Sequence, residues 1–246
     1  MHRFASLLRS ARRTVVFTGA GMSTESGLPD FRSADGLWKQ NRRFEELASI
    51  DALERSYEEF VEFYRYRIRM LGGVRPNPGH EILAGWQRSG LVHAVITQNV
   101  DGLHEDAGSR EVLNLHGSLR RIHCRSCSSD MPSSAFLEDI GTHCGRCRGI
   151  MRPSVVLYGE ALEAKTLEAA INASRSADLF IVLGSSLSTS PANTLPRAAV
   201  EHAGASLVIV NRETTPLASL ATLDVRGRIG AILAQVDQKL GARRVR

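Results

Sequence analysis

Four short runs in this chain are almost continuously apolar and rich in β-branched residues. They are "TVVFTG" at 14–19, "HAVITQNVD" at 93–101, "DLFIVLGSS" at 178–186 and "SLVIVN" at 206–211. They do not alternate polar with apolar, which is how strands of a parallel sheet read when both faces are covered. Helix-like segments lie between them, notably 79–89 and 161–176, and an amphipathic segment over 2–12 precedes the first strand. Strand alternating with helix predicts an α/β fold built on an open parallel sheet. In such sheets ligands bind beyond the carboxyl ends of the strands, so the residues just after each run are the ones to inspect. Two segments interrupt the alternation: residues 36–75 read as mostly helical, and residues 118–153 hold all four cysteines. Within 53–71, Leu53, Tyr57, Phe60, Tyr64, Ile68 and Leu71 recur at spacings of three and four, the pattern of a core-facing helical stripe. Arg67 shares the face of Tyr64, whereas Arg65 and Arg69 are expected to point elsewhere, into solvent.

Composition narrows the class. A chain of 246 residues with 43% hydrophobic residues suits one large domain, or one domain with a small insertion. The net charge of +5 is scattered, which is compatible with an anionic ligand and does not demand nucleic acid. The basic end, "GARRVR", reads as a frayed terminus. No apolar run approaches the ~20 residues of a membrane helix, so no membrane partner is expected. "MHRFASLLRSARR" has the Arg- and Ser-containing, acid-free composition of a transit peptide, but a strand starts directly after it. The segment is therefore read as the first helix of the fold, and the expected compartment is the cytoplasm.

Three groups of residues carry chemistry. Gly19 and Gly21 in "TGAGMSTESG" follow the first strand and permit a tight turn close to a pyrophosphate. Thr24 stands where a dinucleotide fingerprint has its third glycine, so the turn alone is equally well an ordinary strand-to-helix connection. Cys124-x-x-Cys127 and Cys144-x-x-Cys147 are two knuckles with sixteen residues between them, the spacing of a closed, structural zinc site. His123 and His143 flank the knuckles and are expected at the surface. Finally, polar residues crowd the strand ends: Gln98, Asn99 and Asp101 in "TQNVDGLH", His116 in "NLHGSL", Gly184, Ser185 and Ser186 in "LGSSLSTSPA", and Asn211 and Glu213 in "VNRET".

Taken in order, "GAGMSTESGLPDFRSADGLW", "TQNVDGLH", "LHGSL", the two knuckles, "RPSVVLYGE", "LGSSLSTSPA" and "VIVN" resemble the sirtuins, the Sir2-type NAD-dependent protein-lysine deacylases, in a bacterial form. The resemblance spans nearly the whole chain. It implies a single catalytic domain, with residues 1–35, 76–117 and 154–246 forming a Rossmann-type part. Residues 36–75 would be a helical insertion and 118–153 a zinc-binding module, with the active site between the parts.

The resemblance also implies roles. Gly19, Ala20, Gly21, Thr24, Phe31, Arg32, Gln98, Gly184, Ser185, Ser186, Asn211 and Glu213 would line the NAD site. Phe31 would shield the reactive sugar carbon. Asn99 and Asp101 would hold the nicotinamide end, with Asn99 counted among the catalytic residues. His116 would be the general base, and Val155, Val156, Leu157, Tyr158 and Gly159 would form the edge on which a substrate peptide lies. The implied partners are acylated lysine side chains of proteins, with NAD as co-substrate and one structural Zn²⁺. Ser185 stands where the family more often has Thr, and Tyr158 where it more often has Phe.

Rival readings are an NAD dehydrogenase, a zinc-dependent nucleic-acid-binding protein and, within the family, an ADP-ribosyltransferase. The first leaves the zinc knuckles without a purpose, and the second leaves "TQNVD" and "LHGS" without one. The acyl group is a separate question. Family members that remove succinyl or malonyl groups carry Tyr-x-x-Arg, which Tyr64 and Arg67 match, and Ala34 is a small residue that leaves room. "PDFR" is, by contrast, deacetylase wording. Deacetylation is therefore the expected basic activity, with removal of acidic acyl groups as an addition. The alternative for Arg67 is an internal salt bridge.

Overall fold

The computed structural model describes residues 1–241, so the "ARRVR" end of the chain lies outside the described residues. Among the described residues there are nine strands: β1 (Thr14–Thr18), β2 (Ala94–Thr97), β3 (Val112–Asn114), β4 (Gly117–Cys124), β5 (Asp130–Pro132), β6 (Met151–Val155), β7 (Leu179–Leu183), β8 (Ser206–Asn211) and β9 (Leu223–Arg226). The described residues also form the α-helices α1 (His2–Ser10), α2 (Leu37–Gln40), α3 (Arg43–Leu47), α4 (Ile50–Arg55), α5 (Tyr57–Met70), α6 (Pro78–Arg88), α7 (Leu103–Asp106), α8 (Ala164–Arg175), α9 (Leu195–Ala203) and α10 (Ile229–Gly241).

Six strands form one parallel sheet in the order β3-β2-β1-β7-β8-β9. Counted within the sheet this is 3-2-1-4-5-6, the doubly wound dinucleotide-binding order, whose direction reverses between β1 and β7. All four predicted strands are present; β1, β2 and β7 are shorter than their apolar runs, and β8 matches its run. Two more, β3 and β9, escape the pattern because they are short and only half-buried.

The sheet is covered on both faces, as its unbroken apolar runs require. Val16 packs with Phe4 and Leu8 of α1, Leu83 of α6 and Leu233 of α10. Its neighbours Val15 and Phe17 point the other way, toward Ala170 of α8 and Ala199 of α9. The segment over 2–12 is thus a helix of the fold, with Phe4, Ala5 and Leu8 buried.

A third core joins the remaining parts. Phe60, Phe63, Tyr64 and Ile68 of α5 pack against Leu119, Ile122, Phe136 and Met151. Leu119, Ile122 and Met151 belong to an antiparallel sheet, ordered β5-β4-β6, whose β4 ends at Cys124, and Phe136 belongs to a 3-10 turn over Ser133–Leu137 beside it. The single predicted helix over 53–71 is in fact two, α4 and α5, broken at Ser56. Arg65 corrects the reading of the stripe: it is only 9% exposed. Its guanidinium donates to the carbonyl of Phe136 at 2.9 Å and pairs with Glu62 and Asp139. The helix is covered on two sides, so the buried stripe widens to include it.

Candidate active site

The reversal point of the sheet is where the glycine turn lies. Gly21 donates its N–H to the Gly184 carbonyl at 2.9 Å, which brings the ends of β1 and β7 together. A Cβ at Gly21 would stand 2.8 Å from Gly184 Cα, so the approach requires a residue without one. Around this contact opens a cleft of about 360 Å³, lined by residues from the ends of β1, β2, β7 and β8 and from the segment after β6. Every residue predicted for the NAD site, together with His116 and the 155–159 segment, lines it.

The polar side chains here are bound to one another. Gln98 Nε2 donates to Ser185 Oγ at 2.9 Å, linking the ends of β2 and β7. Asn99 Nδ2 donates to Ser23 Oγ at 3.1 Å, and Ser23 donates onward to Asp101 Oδ2 at 2.7 Å. The other Asp101 oxygen accepts the Leu103 N–H at 2.9 Å. Burial raises the Asp101 pKa, and the bonds from Leu103 and Ser23 oppose that shift. Asn211 and Glu213 stand at the far end, where Asn211 donates to the Glu213 carbonyl. On the loop above, Arg32 donates to Thr189 Oγ1 at 3.2 Å, and Asp30 accepts the main-chain N–H groups of Arg32 and Ser33.

His116 follows β3. Its Nδ1 lies 3.0 Å from the Gln98 carbonyl, which can only accept, so Nδ1 carries the proton and Nε2 is bare. Burial is the main cause of a lowered pKa, the Gln98 bond opposing it and Arg32 adding to it. The ring is therefore neutral at pH 7, with a free basic nitrogen in the cleft. Gly117 behind it has φ +74, and a Cβ there would lie 2.2 Å from the Ser154 carbonyl. That glycine allows β4 to turn away directly after His116.

The four cysteine sulfurs lie within 4.8 Å of one another. Cys124 and Cys147 are 3.5 Å apart and Cys127 and Cys144 are 3.6 Å apart, close to the ~3.8 Å edge of a tetrahedron with ~2.3 Å Zn–S bonds. The donor set fits one zinc ion with no open position. His143 is exposed as expected, whereas His123 is half-buried on β4 and bonded to Ser154 Oγ at 3.0 Å.

The sequence model of the Sir2 family matches residues 19–191. The chain is 53% identical over 239 residues to "NAD-dependent protein deacetylase 1" of Geobacillus kaustophilus, covering 96% of each chain. This chain belongs to the Sir2 family. It is also 41% identical to the "NAD-dependent protein deacylase" of Aeropyrum pernix, again over 96% of each. A solved structure described as "Sir2-p53 peptide-NAD+" superposes with a TM-score of 0.87 at 38% identity, covering 98% of both chains. The activity is thus NAD-dependent protein deacetylation or deacylation, and the rival readings are not favoured. The recognised cofactors are NAD and one zinc ion.

The helical wall of this Sir2 cleft is built differently. Tyr64 is 3% exposed, and burial pushes its phenol well above the usual range. Arg67 reaches the same wall, and burial lowers its pKa. Its guanidinium carbon lies 5.1 Å from the Phe31 ring centroid and 5.8 Å from that of Phe63. Among the described residues it makes no ion pair, so the internal salt bridge weighed from the sequence has no counterpart. Phe31 in turn packs on Trp38, with ring centroids 4.8 Å apart. Ala34 is exposed and does not line the cleft.

Ser23 is a residue the sequence reading missed, although it sits inside the glycine turn beside Thr24. Thr189, Met70 and Leu71 also line the cleft without having been singled out for it. Among the described residues no helix is long and apolar enough to cross a membrane.

Proposed function

We propose that the chain removes acyl groups from protein lysines with His116 as general base, and that Tyr64 and Arg67 extend its range to acidic acyl groups. The observation that carries the first part is the His116 tautomer: a neutral ring, proton on Nδ1, with Nε2 open to the cleft. NAD, when bound, supplies a ribose carbon that accepts the acyl oxygen as nicotinamide departs, and the acyl group leaves on ADP-ribose. Gly19, Ala20, Gly21, Thr24, Gly184, Ser185, Ser186, Asn211 and Glu213 would hold its phosphates and adenosine. The close glycine packing leaves main-chain groups, rather than side chains, facing that ligand.

The Asn99–Ser23–Asp101 chain would fix the nicotinamide end, and Gln98 and Arg32 would border it. Phe31 would cover the sugar carbon. His116 Nε2 would take the proton from a ribose hydroxyl as that oxygen attacks the acyl carbon, and uptake of one water would complete the cleavage and free the lysine amine; the first step suits a base neutral at pH 7.

The substrate peptide would lie along residues 155–159. Much of that segment is already committed. Val156 donates its N–H to the His116 carbonyl, Leu157 donates to Glu160, and Tyr158 exchanges bonds with Ala48 and Ile50. These bonds hold the segment rigid and leave a short edge, so main-chain recognition would be brief and weakly sequence-selective. The division into a Rossmann-type part, a helical insertion and a zinc module follows the same reading. So does a cytoplasmic location, where a reducing medium keeps the thiolates available for zinc.

Arg67 carries the second part. A half-buried cation bordered by aromatic rings and lacking a carboxylate partner among the described residues is poised for an anionic ligand. Side-by-side assays of acetyl- and succinyl-lysine peptides on wild type and Arg67→Met test it. The expected outcome is a loss on succinyl-lysine roughly tenfold greater than on acetyl-lysine; equal losses would refute the role.

A further inference from the structure

Two buried histidines lie behind the site and take no part in the chemistry above. His80 is in the first turn of α6 and His104 is on α7, and they are 0% and 1% exposed. Their ring centroids are 4.8 Å apart in an edge-to-face arrangement.

Hydrogen-bond partners determine where each ring holds its proton. The main-chain N–H of Asn77, which can only donate, lies 3.3 Å from His80 Nδ1. That nitrogen is therefore the bare one, and neutral His80 carries its proton on Nε2. Thr18 donates its hydroxyl hydrogen to Thr97 Oγ1 at 2.8 Å. Toward His104 Nε2, 2.9 Å away, the same oxygen must accept, so His104 also carries its proton on Nε2 and leaves Nδ1 bare. Two nitrogens remain: an N–H on His80 Nε2 and a lone pair on His104 Nδ1. These are the two atoms on these rings that lack a partner among the described residues, and they match as donor and acceptor. Burial keeps both rings neutral, lowering His80 to about 4 and His104 to about 3.

We propose that His80 and His104 are positioning residues, joined Nε2–H to Nδ1, in a buried chain of hydrogen bonds that ties the glycine turn to the main chain of Asn99. At one end Asn77 donates from its side chain to the Met22 carbonyl at 2.8 Å and to Ser26 Oγ at 3.1 Å, both within the turn. At the other end Thr97 Oγ1 accepts the Asn99 N–H at 3.0 Å. The order of donors is the same whether the two rings meet directly or through one water. Asn99 is thereby fixed from behind through its backbone, as Ser23 fixes its amide from the front. The effect on catalysis rests on the reading of Asn99 given above.

The test is ¹⁵N NMR of the histidine rings in the full-length, zinc-loaded protein near pH 7, together with kinetics of His80→Leu and His80→Gln. Both rings are expected as neutral Nε2–H tautomers. His80→Leu should lower kcat about tenfold or more with little change in KM for the acyl peptide, because small misplacements near a reacting centre are costly. His80→Gln, which offers an acceptor and a donor in the same order, should recover most of that loss. An Nδ1–H tautomer or a charged ring at either position would overturn the chain, whatever the variants do. So would a wild-type kcat in His80→Leu, or a His80→Gln as impaired as the leucine variant. If Asn99→Ala leaves deacylation intact, the role given to Asn99 fails while the tautomers stand, so the two failures are distinguishable.

Discussion

The two walls of the cleft are organised on opposite principles. On the strand-end wall, Gln98, Asn99, Asp101, Ser23, Ser185 and His116 are each bonded to another part of the protein before any ligand arrives. On the helical wall, Tyr64 and Arg67 are held by aromatic packing, and Arg67 has a ring beneath it where an anion could be above. The first wall is preorganised, which suits chemistry that must be the same on every substrate. The second leaves a charge uncommitted, which suits selection among substrates. Function shared across the family would then reside in the strand ends, and preference among acyl groups in α5.

That contrast can be broken in several places. Removing the base should have the largest effect. His116→Ala is expected to lower deacylation of acetyl- and succinyl-lysine peptides alike by about 10²- to 10⁴-fold, read as nicotinamide release. Unequal losses would mean that the strand-end wall also selects the acyl group. Arg67→Met should come next, with its roughly tenfold discrimination confined to the acidic acyl group. A variant that lost both activities equally would make Arg67 part of the common machinery.

A smaller effect is expected from pH. Burial holds the His116 pKa below 6.5, so the neutral base persists through neutrality and kcat/KM should fall only below that value. An acid limb with a midpoint above 6.5 would contradict the neutral, buried ring. The smallest effect concerns stability. His80 and His104 bind protons near 6.5 when unfolded but only near 4 and 3 when folded. The unfolded state therefore takes up more protons as pH falls below 6.5, and stability must decline from there toward 4. Melting temperature followed by circular dichroism over that range should fall, and His80→Gln should fall less.

Much of this arrangement was legible in the sequence, for physical reasons. Both faces of the sheet are covered, so its strands are unbroken apolar runs, and polar residues at their ends have only the crevice to face. Paired cysteines declare themselves by spacing. His116 was legible as a candidate, but its tautomer depends on the Gln98 carbonyl, eighteen residues away in the chain.

The misses share a cause. Arg65 was expected in solvent because one helical face was counted as buried, whereas the 3-10 turns that hold Phe136 and Asp139 cover a second. The break at Ser56 is invisible to a stripe that keeps its period across it. The His80–His104 pair depends on a contact between α6 and α7 that no local pattern announces.

The central claim is that nicotinamide leaves NAD because an acylated lysine attacks, with the acyl group ending on ADP-ribose. Its most direct test is a mass balance on one reaction with acetyl-lysine peptide. Equal amounts of nicotinamide, free-lysine peptide and acyl-ADP-ribose are expected, with none of them formed when the peptide is unacylated. Nicotinamide released without acylated peptide, or ADP-ribose found attached to protein in its place, would contradict it.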